Sequence, residues 1–155
     1  MNTISTRLAE LSDAGRLYAF DQVAQEDPDR KSFVDRAIRE GRSWIIEHQN
    51  VVLGYGIISH EFFGRSFLEL IYIGEECRGQ GLGPKLIGAL EKQSNSKSLF
   101  TSTNQSNLHM QHVLERLGYE RSGVIHNHDP EDPELVYVKH GLGDWSRRKR
   151  NQIHG

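Results

Sequence analysis

The chain predicts a mixed α/β domain built on a mostly antiparallel sheet, and three observations carry that expectation. Segments rich in Ile, Val, Tyr and Trp follow one another with short connections between residues 43 and 73, the pattern of consecutive antiparallel strands rather than of alternating strand and helix. Four other segments repeat their apolar residues at helical spacing. A strand, a glycine-rich stretch and a helix start then follow in direct succession between Ile71 and Leu86. The length of 155 residues suits one domain with one core, which we place at residues 1–143, followed by a basic tail at 144–155.

The elements run in order as follows. Residues 3–8 alternate in a weak period of two and open the domain as a strand. Ser12 or Asp13 caps a helix whose Ala14, Leu17, Tyr18 and Phe20 recur at helical spacing, to about Gln25. Asp27 followed by Pro28 starts a second helix, with Phe33, Val34, Ala37 and Ile38 on one face and Gly41 as its stop. Strands are expected at 43–47 and 51–59, joined by His48, Gln49 and Asn50, and at 66–73. A helix follows at 84–92, a strand at 99–103, and a helix at 107–117 that turns Met110, Val113, Leu114 and Leu117 inward and ends at Gly118. Two last strands, 120–126 and 135–140, flank an acidic segment at 129–134. The expectation is a central sheet of about seven strands with four helices, and no internal repeat.

Composition removes several function classes. Lys plus Arg is 19 against 21 Asp plus Glu, a formal charge of −2, so no general basic excess exists to hold a polyanion and nucleic acid is not an expected partner. The apolar run of Leu70, Ile71, Tyr72 and Ile73 is far below the roughly 20 residues a membrane-spanning helix needs. The first residues have no apolar core of the secretory kind, and the lone Cys77 has no partner for an intrachain disulfide, so a cytoplasmic protein is expected. Eight histidines are many for this length, yet no His or Cys spacing matches a structural zinc site, and no metal is expected.

The chemistry begins after the third strand. Gly79, Gly81 and Gly83 let the backbone turn so that successive N–H groups converge, and the helix behind them adds unpaired amides and the positive end of its dipole. A pyrophosphate suits such a cradle. The Lys-Ser/Thr of a Walker loop is absent, as is the βαβ order of a dinucleotide fold, and a glycine-rich turn without a ligand is the alternative.

The combination of Arg78-x-x-Gly81-x-Gly83 between a hydrophobic strand and a helix, Asn107-x-x-Met110, and Leu114-x-x-x-Gly118-Tyr119 resembles the GNAT superfamily of acyl-CoA-dependent N-acetyltransferases. The matched stretch runs from about Trp44 to Lys139. The resemblance implies a sheet that splays between the 66–73 and 99–103 strands, with the pantetheine arm of acetyl-CoA in the gap. Backbone groups of Ile71, Tyr72 and Ile73 would pair with that arm as an added strand would. Amides of Gly79, Gln80, Gly81, Leu82 and Gly83 would hold the pyrophosphate, Arg78 would flank it, and Asn107 would meet the arm from the other side. Pro84 lacks an N–H and removes one donor while suiting the first helical turn, and Lys85 is either a phosphate contact or a solvated helix lysine.

Acetyl transfer to an amine needs a proton acceptor and a donor for the developing charge on the thioester oxygen. The resemblance favours a backbone amide near Ile73 as that donor. Glu69, which interrupts the apolar Phe67, Leu68 and Leu70, is the first candidate for the base, or else a carboxylate on the solvated face of its strand. The following strand offers only the hydroxyls of Thr101, Ser102 and Thr103. Where the family often carries an acidic tyrosine, seven residues after Asn107, this chain has Leu114, and Tyr119 reads as a core aromatic rather than a substitute. His60 with Glu61, and His126 and His128 before Asp129, Glu131, Asp132 and Glu134, either overhang an acceptor pocket and draw a cationic amine or form a solvated loop. Cys77 is a reactive thiol only if the glycine loop lowers its pKa.

The basic run Arg147, Arg148, Lys149 and Arg150 is either solvated or contacts the cofactor's 3′-phosphate, an RNA-rich partner or a neighbouring subunit, which leaves a homodimer open. The reading that follows is a transferase, an acyltransferase moving acetyl from acetyl-CoA to a primary amine of a small molecule. A direct transfer is expected, because no Ser, Cys or Lys has a recognisable nucleophile setting. A protein N-terminal or lysine acetyltransferase remains open, as does a catalytically weak acyl-CoA-binding module.

Overall fold

A computed structural model describes residues 3–142; the basic run at 147–150 and the rest of the tail lie outside the described residues. The strands are β1 (Ile4–Leu8), β2 (Ser43–His48), β3 (Val51–Phe62), β4 (Arg65–Ile73), β5 (Leu99–Asn104), β6 (Glu120–Ile125) and β7 (Glu134–Lys139). They form one sheet in the order β1-β2-β3-β4-β5-β7-β6. The helices are α1 (Ala14–Phe20), α2 (Gln22–Glu26), α3 (Pro28–Arg39), α4 (Leu82–Glu91) and α5 (Leu108–Arg116), with short 3-10 turns at Leu11–Asp13 and Glu75–Cys77.

Four helices were expected and five are found, because the first is two. Asp21 interrupts it with an extended backbone, φ −85° and ψ 99°, and its side chain accepts from the N–H groups of Val23 and Ala24. An aspartate that bonds nearby amides offers the backbone an alternative to the helical ladder, which is why the periodicity of 14–25 does not produce one rod.

The chain divides into two compact units, Met1–Ile58 with Glu69–Leu90 and Ser59–Leu68 with Glu91–Gly155. In the first, α1 and α3 bury Leu17, Val34, Ala37 and Ile38 with Ile45, Tyr55 and Ile57 of β2 and β3. Asp27 caps α3 by accepting from Asp29 N–H, and Pro28 stands in its first turn, as expected of that pair. The register of β1 and β2 runs antiparallel from Ile4↔His48 to Leu8↔Trp44, and β2 pairs antiparallel with β3 from Ser43↔Ile57 to His48↔Val51. Helix α4 buries Leu82, Leu86, Ile87 and Leu90, each worth about 2 kcal/mol of removed apolar surface.

Close packing explains two glycines of β3. A Cβ on Gly56 would stand 2.5 Å from Leu90 Cδ1 and 2.9 Å from Ile71 Cδ1, and one on Gly54 would stand 2.6 Å from Tyr72 O. These glycines let β4 and α4 approach β3, and so fix where the end of β4 delivers the chain.

In the second unit, the hairpin between β3 and β4 turns at Phe63 and Gly64, both at positive φ, +52° and +77°. Here β4 pairs parallel with β5 at Ser66↔Leu99, Phe67↔Phe100 and Leu68↔Thr101. The β5 to β7 register is antiparallel from Leu99↔Lys139 to Asn104↔Glu134, and β6 pairs antiparallel with β7. Asn107 caps α5, its side chain accepting from Met110 N–H at 3.1 Å. Among the described residues no helix is long and apolar enough to cross a membrane.

Candidate functional site

The first unit contains the strand, turn, glycine loop and helix start that the sequence singled out. At the end of β4 the N–H of Gly74 donates to Leu53 O at 2.9 Å, and the chain turns through Glu75–Cys77 with Cys77 N–H donating to Gly74 O at 2.8 Å. Gly79 and Gly81 follow at φ +79° and +78°, the left-handed region that glycine enters without penalty. Lys85 N–H donates to Gly81 O at 3.4 Å and opens the helical ladder, so α4 begins at Leu82, ahead of the expected start at Pro84. The amides of Gly81, Leu82 and Gly83 therefore head the helix, where the ladder supplies no acceptor for them.

The side-chain positions of the three glycines are open. A Cβ on Gly79, Gly81 or Gly83 would meet nothing within 4 Å. For Gly79 and Gly81 the positive φ already favours glycine. Gly83 has neither a positive φ nor a crowded side, so neither backbone strain nor packing within the chain accounts for it. A backbone without side chains at a helix head lets an anion come within hydrogen-bonding distance of several N–H groups.

The cations nearby are held in particular ways. Arg78 is exposed, yet its Nε–H donates to Ile73 O at 2.9 Å and its guanidinium lies 5.4 Å from the centre of the Tyr72 ring. Lys85 donates from Nζ to Ile4 O at 2.9 Å, so it is a tether to β1 in this structure. Cys77 is partly buried.

Along β4, Glu69, Ile71 and Ile73 share one face by the two-residue period of a strand, and Leu70 and Tyr72 share the other. Tyr72 packs with Phe20 and Tyr55, ring centres 5.8 Å and 6.2 Å away. The Glu69 carboxylate stands 3.5 Å from Arg42 Nη1, with side-chain exposures of 26% and 17%. Arg42 is fixed in turn by donating to Ile58 O at 3.1 Å and to Glu40. Glu69 is thus a partly exposed carboxylate with a guanidinium neighbour, a partner that no local sequence signal announces.

A second set of residues that the sequence did not single out backs this strand. Asp21 is fully buried, pairs with Arg30 Nη2 at 3.1 Å, and also accepts a hydrogen bond from the Tyr55 hydroxyl. Burial, with Asp21 as acceptor, raises the Tyr55 hydroxyl above its ordinary range. The Tyr72 hydroxyl donates to Phe20 O at 3.3 Å, one residue before Asp21, so the α1–α2 elbow and the end of β4 are tied. The signals were a polar residue inside a helical period and a tyrosine between two strand glycines.

In the second unit, Leu114 is buried with 1% exposure, and Tyr119 is buried with its hydroxyl donating to Glu91 at 2.8 Å. Burial, then the Glu91 charge, raises the Tyr119 hydroxyl well above its usual range, which suits a core residue and not an acid. Thr101 and Thr103 are buried, and Thr101 Oγ1 donates to Leu68 O at 3.0 Å. The acidic segment is bonded within its own unit: Asp132 accepts from Ser106 N–H and Oγ, Asp129 from Asn104 at 2.8 Å, and Glu134 from Ser102 at 2.9 Å. His126 and His128 are exposed. His60 Nδ1 and His140 Nδ1 lie 2.8 Å from the hydroxyls of Ser66 and Ser98, both of which are buried. Among the described residues no group of three His, Cys, Asp or Glu is placed to hold a metal ion.

A mixed sheet whose fourth strand runs into a glycine-rich loop at a helix head defines a class of α/β protein, and the comparisons give that class a family. The sequence matches the acetyltransferase (GNAT) family over residues 8–119, and the chain belongs to that family. Among solved structures it is similar to a GNAT-family acetyltransferase from Bacillus cereus ATCC 10987, with 28% identity, a TM-score of 0.84, and coverage of 91% of this chain and 99% of that one. Two structures share the fold at lower identity. The ribosomal-protein-S18-alanine N-acetyltransferase from Escherichia coli has 20% identity, a TM-score of 0.76, and coverage of 92% and 96%. Ard1 from Thermoplasma volcanium has 14% identity, a TM-score of 0.78, and coverage of 90% and 99%. No curated protein matches the sequence.

Proposed function

We propose that the chain is an N-acetyltransferase that moves an acetyl group from acetyl-CoA to a primary amine of a small molecule, with both substrates bound together. The observation that carries the reading is the glycine loop itself, which turns at positive φ through Gly79 and Gly81 into the α4 amides that the helical ladder leaves without acceptors, with no side chain at any of its three glycines. Those amides suit a pyrophosphate, and membership of the acetyltransferase family supplies acetyl-CoA as the molecule that carries it.

The residues would divide the work as follows. Amides of residues 79–83 hold the pyrophosphate, while backbone groups of Ile71, Tyr72 and Ile73 pair with the pantetheine arm. The Ile73 N–H is assigned to the thioester oxygen, where a fixed dipole stabilises charge that develops only during transfer. Glu69 takes the proton of the attacking amine, directly or through water. Acetyl-CoA itself supplies the activated acetyl group and a thiolate that departs without strong acid help. The buried hydroxyls of Ser66 and Ser98 beside His60 and His140 lack access to a substrate, which favours direct transfer over a covalent acyl-enzyme.

Leu114, buried and without a hydroxyl, favours a second reading, an acyl-CoA-binding module with weak chemistry. A screen of primary amines with acetyl-CoA, read by thiol release, separates the two. The proposal expects acceptor-dependent release with at least one amine class. Binding of acetyl-CoA without release across small amines, peptide N-termini and lysine peptides supports the module, and release only with peptides moves the acceptor to protein.

A further inference from the structure

Arg78 sits beside the cradle but its side chain is directed at the strand. Its Nε–H donates to the Ile73 carbonyl at 2.9 Å, while the N–H of Gly74 donates to Leu53 O at 2.9 Å. The peptide unit between Ile73 and Gly74 is therefore bonded through both its oxygen and its nitrogen, and it cannot rotate without breaking both bonds. The intervening turn is closed by Cys77 N–H to Gly74 O at 2.8 Å, so the Arg78 side chain spans a complete turn back to the last strand residue. Tyr72 steadies the arrangement, with the guanidinium carbons of Arg78 and Arg30 at 5.4 Å and 5.9 Å from its ring centre.

We infer that Arg78 is a positioning residue that clasps the end of β4 to the start of the glycine cradle, and that the site uses its Nε donor rather than its positive charge. The clasp sets the backbone at 71–73 against the amides at 79–83, the two surfaces that one extended ligand must meet together. The inference rests on the acetyl-CoA reading for its functional consequence, and on the hydrogen bonds alone for its geometry. Side-chain chemistry separates it from direct phosphate contact. The Nε of arginine and the Nε2 of glutamine both follow Cβ, Cγ and Cδ, so Arg78→Gln keeps a donor at the same reach and loses the charge. Arg78→Lys keeps the charge and moves the donor one bond further out.

The test is titration of acetyl-CoA into the parent, Arg78→Gln, Arg78→Lys and Arg78→Met proteins, with amide hydrogen exchange at Gly74 measured on each without ligand. The clasp predicts Arg78→Gln within about threefold of the parent, and Arg78→Lys and Arg78→Met weaker by about tenfold, the loss of one well-made hydrogen bond. It also predicts faster Gly74 exchange in the Lys and Met variants than in the Gln variant. Arg78→Lys binding as well as or better than Arg78→Gln overturns it, and so does full affinity in Arg78→Met. A parent that does not bind acetyl-CoA overturns the acetyl-CoA reading instead, while the Gly74 exchange order still decides the clasp.

Discussion

Arg42 places Nη1 3.5 Å from Oε1 of Glu69, and its other bonds, to Ile58 O and Glu40, fix it there. The carboxylate assigned to the amine's proton therefore has a guanidinium neighbour that is itself held in place. Glu69→Gln keeps the shape and removes the proton acceptor. With an acceptor amine in hand, turnover should fall roughly 100-fold while acetyl-CoA affinity holds. Steady-state rates within about threefold of the parent would take the role from Glu69.

Gly83 separates ligand effects from fold effects. Its Cβ position is open and its φ is not positive, so Gly83→Ala should raise thermal stability, by up to about 1 kcal/mol for an alanine in a helix. On the cradle reading the same methyl crowds the phosphates and so should weaken acetyl-CoA binding. A melting curve and a titration on one sample check both signs, and unchanged affinity would remove Gly83 from the cradle.

At Leu114 the structure overturns a tempting experiment. The resemblance invites Leu114→Tyr to supply the family's frequent acid, but the leucine is buried with 1% exposure. A ring and hydroxyl there overpack the core, and the variant should lose about 1–3 kcal/mol of stability without gaining turnover. A folded Leu114→Tyr protein with a tenfold faster rate would show that the natural chain lacks an acid it needs.

The Asp21, Arg30 and Tyr55 network predicts large losses when one partner goes. Asp21→Ala strips the α2 cap and takes from the largely buried Arg30 its carboxylate partner, which should cost about 3–5 kcal/mol in denaturant unfolding. Tyr55→Phe leaves the ion pair intact and should cost about 1–2 kcal/mol. Equal losses from the two would mean that the hydroxyl, not the charge pair, organises the elbow.

Asp13 gives the fold a defined acid sensitivity. Hydrogen bonds from Arg7, first among the causes, hold its carboxyl down at about 2 against an ordinary value of 3.8. A carboxyl depressed in the folded state stabilises it fully above the unfolded value and loses that contribution as pH falls through the folded one, here between about pH 4 and 2, for about 2 kcal/mol. Arg7→Met should move the acid-unfolding midpoint upward. Identical acid transitions in the two proteins would show that the contact carries no such stability.

Much of this was legible in the chain because it rests on local rules. A weak period of two marked β1, runs rich in Ile, Val, Trp and Tyr marked the strands between 43 and 73, Asp27 with Pro28 marked a helix start, and Asn107 heads α5 as a capping residue should. The glycine loop was legible because glycine is the residue that most readily takes the positive φ of residues 79 and 81. What escaped depends on distant partners. Arg42 and Glu69 are far apart in sequence, Asp21 reads as one more helical residue until Arg30 and Tyr55 surround it, and Gly54 and Gly56 matter only because β4 and α4 press against them. The direction of the Arg78 side chain was equally hidden, since the motif gives its position and not its bond to Ile73.

The central claim, that the glycine loop at the head of α4 binds acetyl-CoA through its pyrophosphate, is tested most directly by calorimetric titration of acetyl-CoA into the parent and Gly81→Asp proteins, with circular dichroism on both. Gly81 sits at φ +78° with nothing within 4 Å of its Cβ position, so aspartate introduces modest backbone strain and, on the cradle reading, sets a carboxylate beside the phosphates. The account predicts clear binding by the parent, and a folded Gly81→Asp protein with at least about 100-fold weaker affinity. Equal affinity in a folded Gly81→Asp protein, or no binding by the parent, would contradict it.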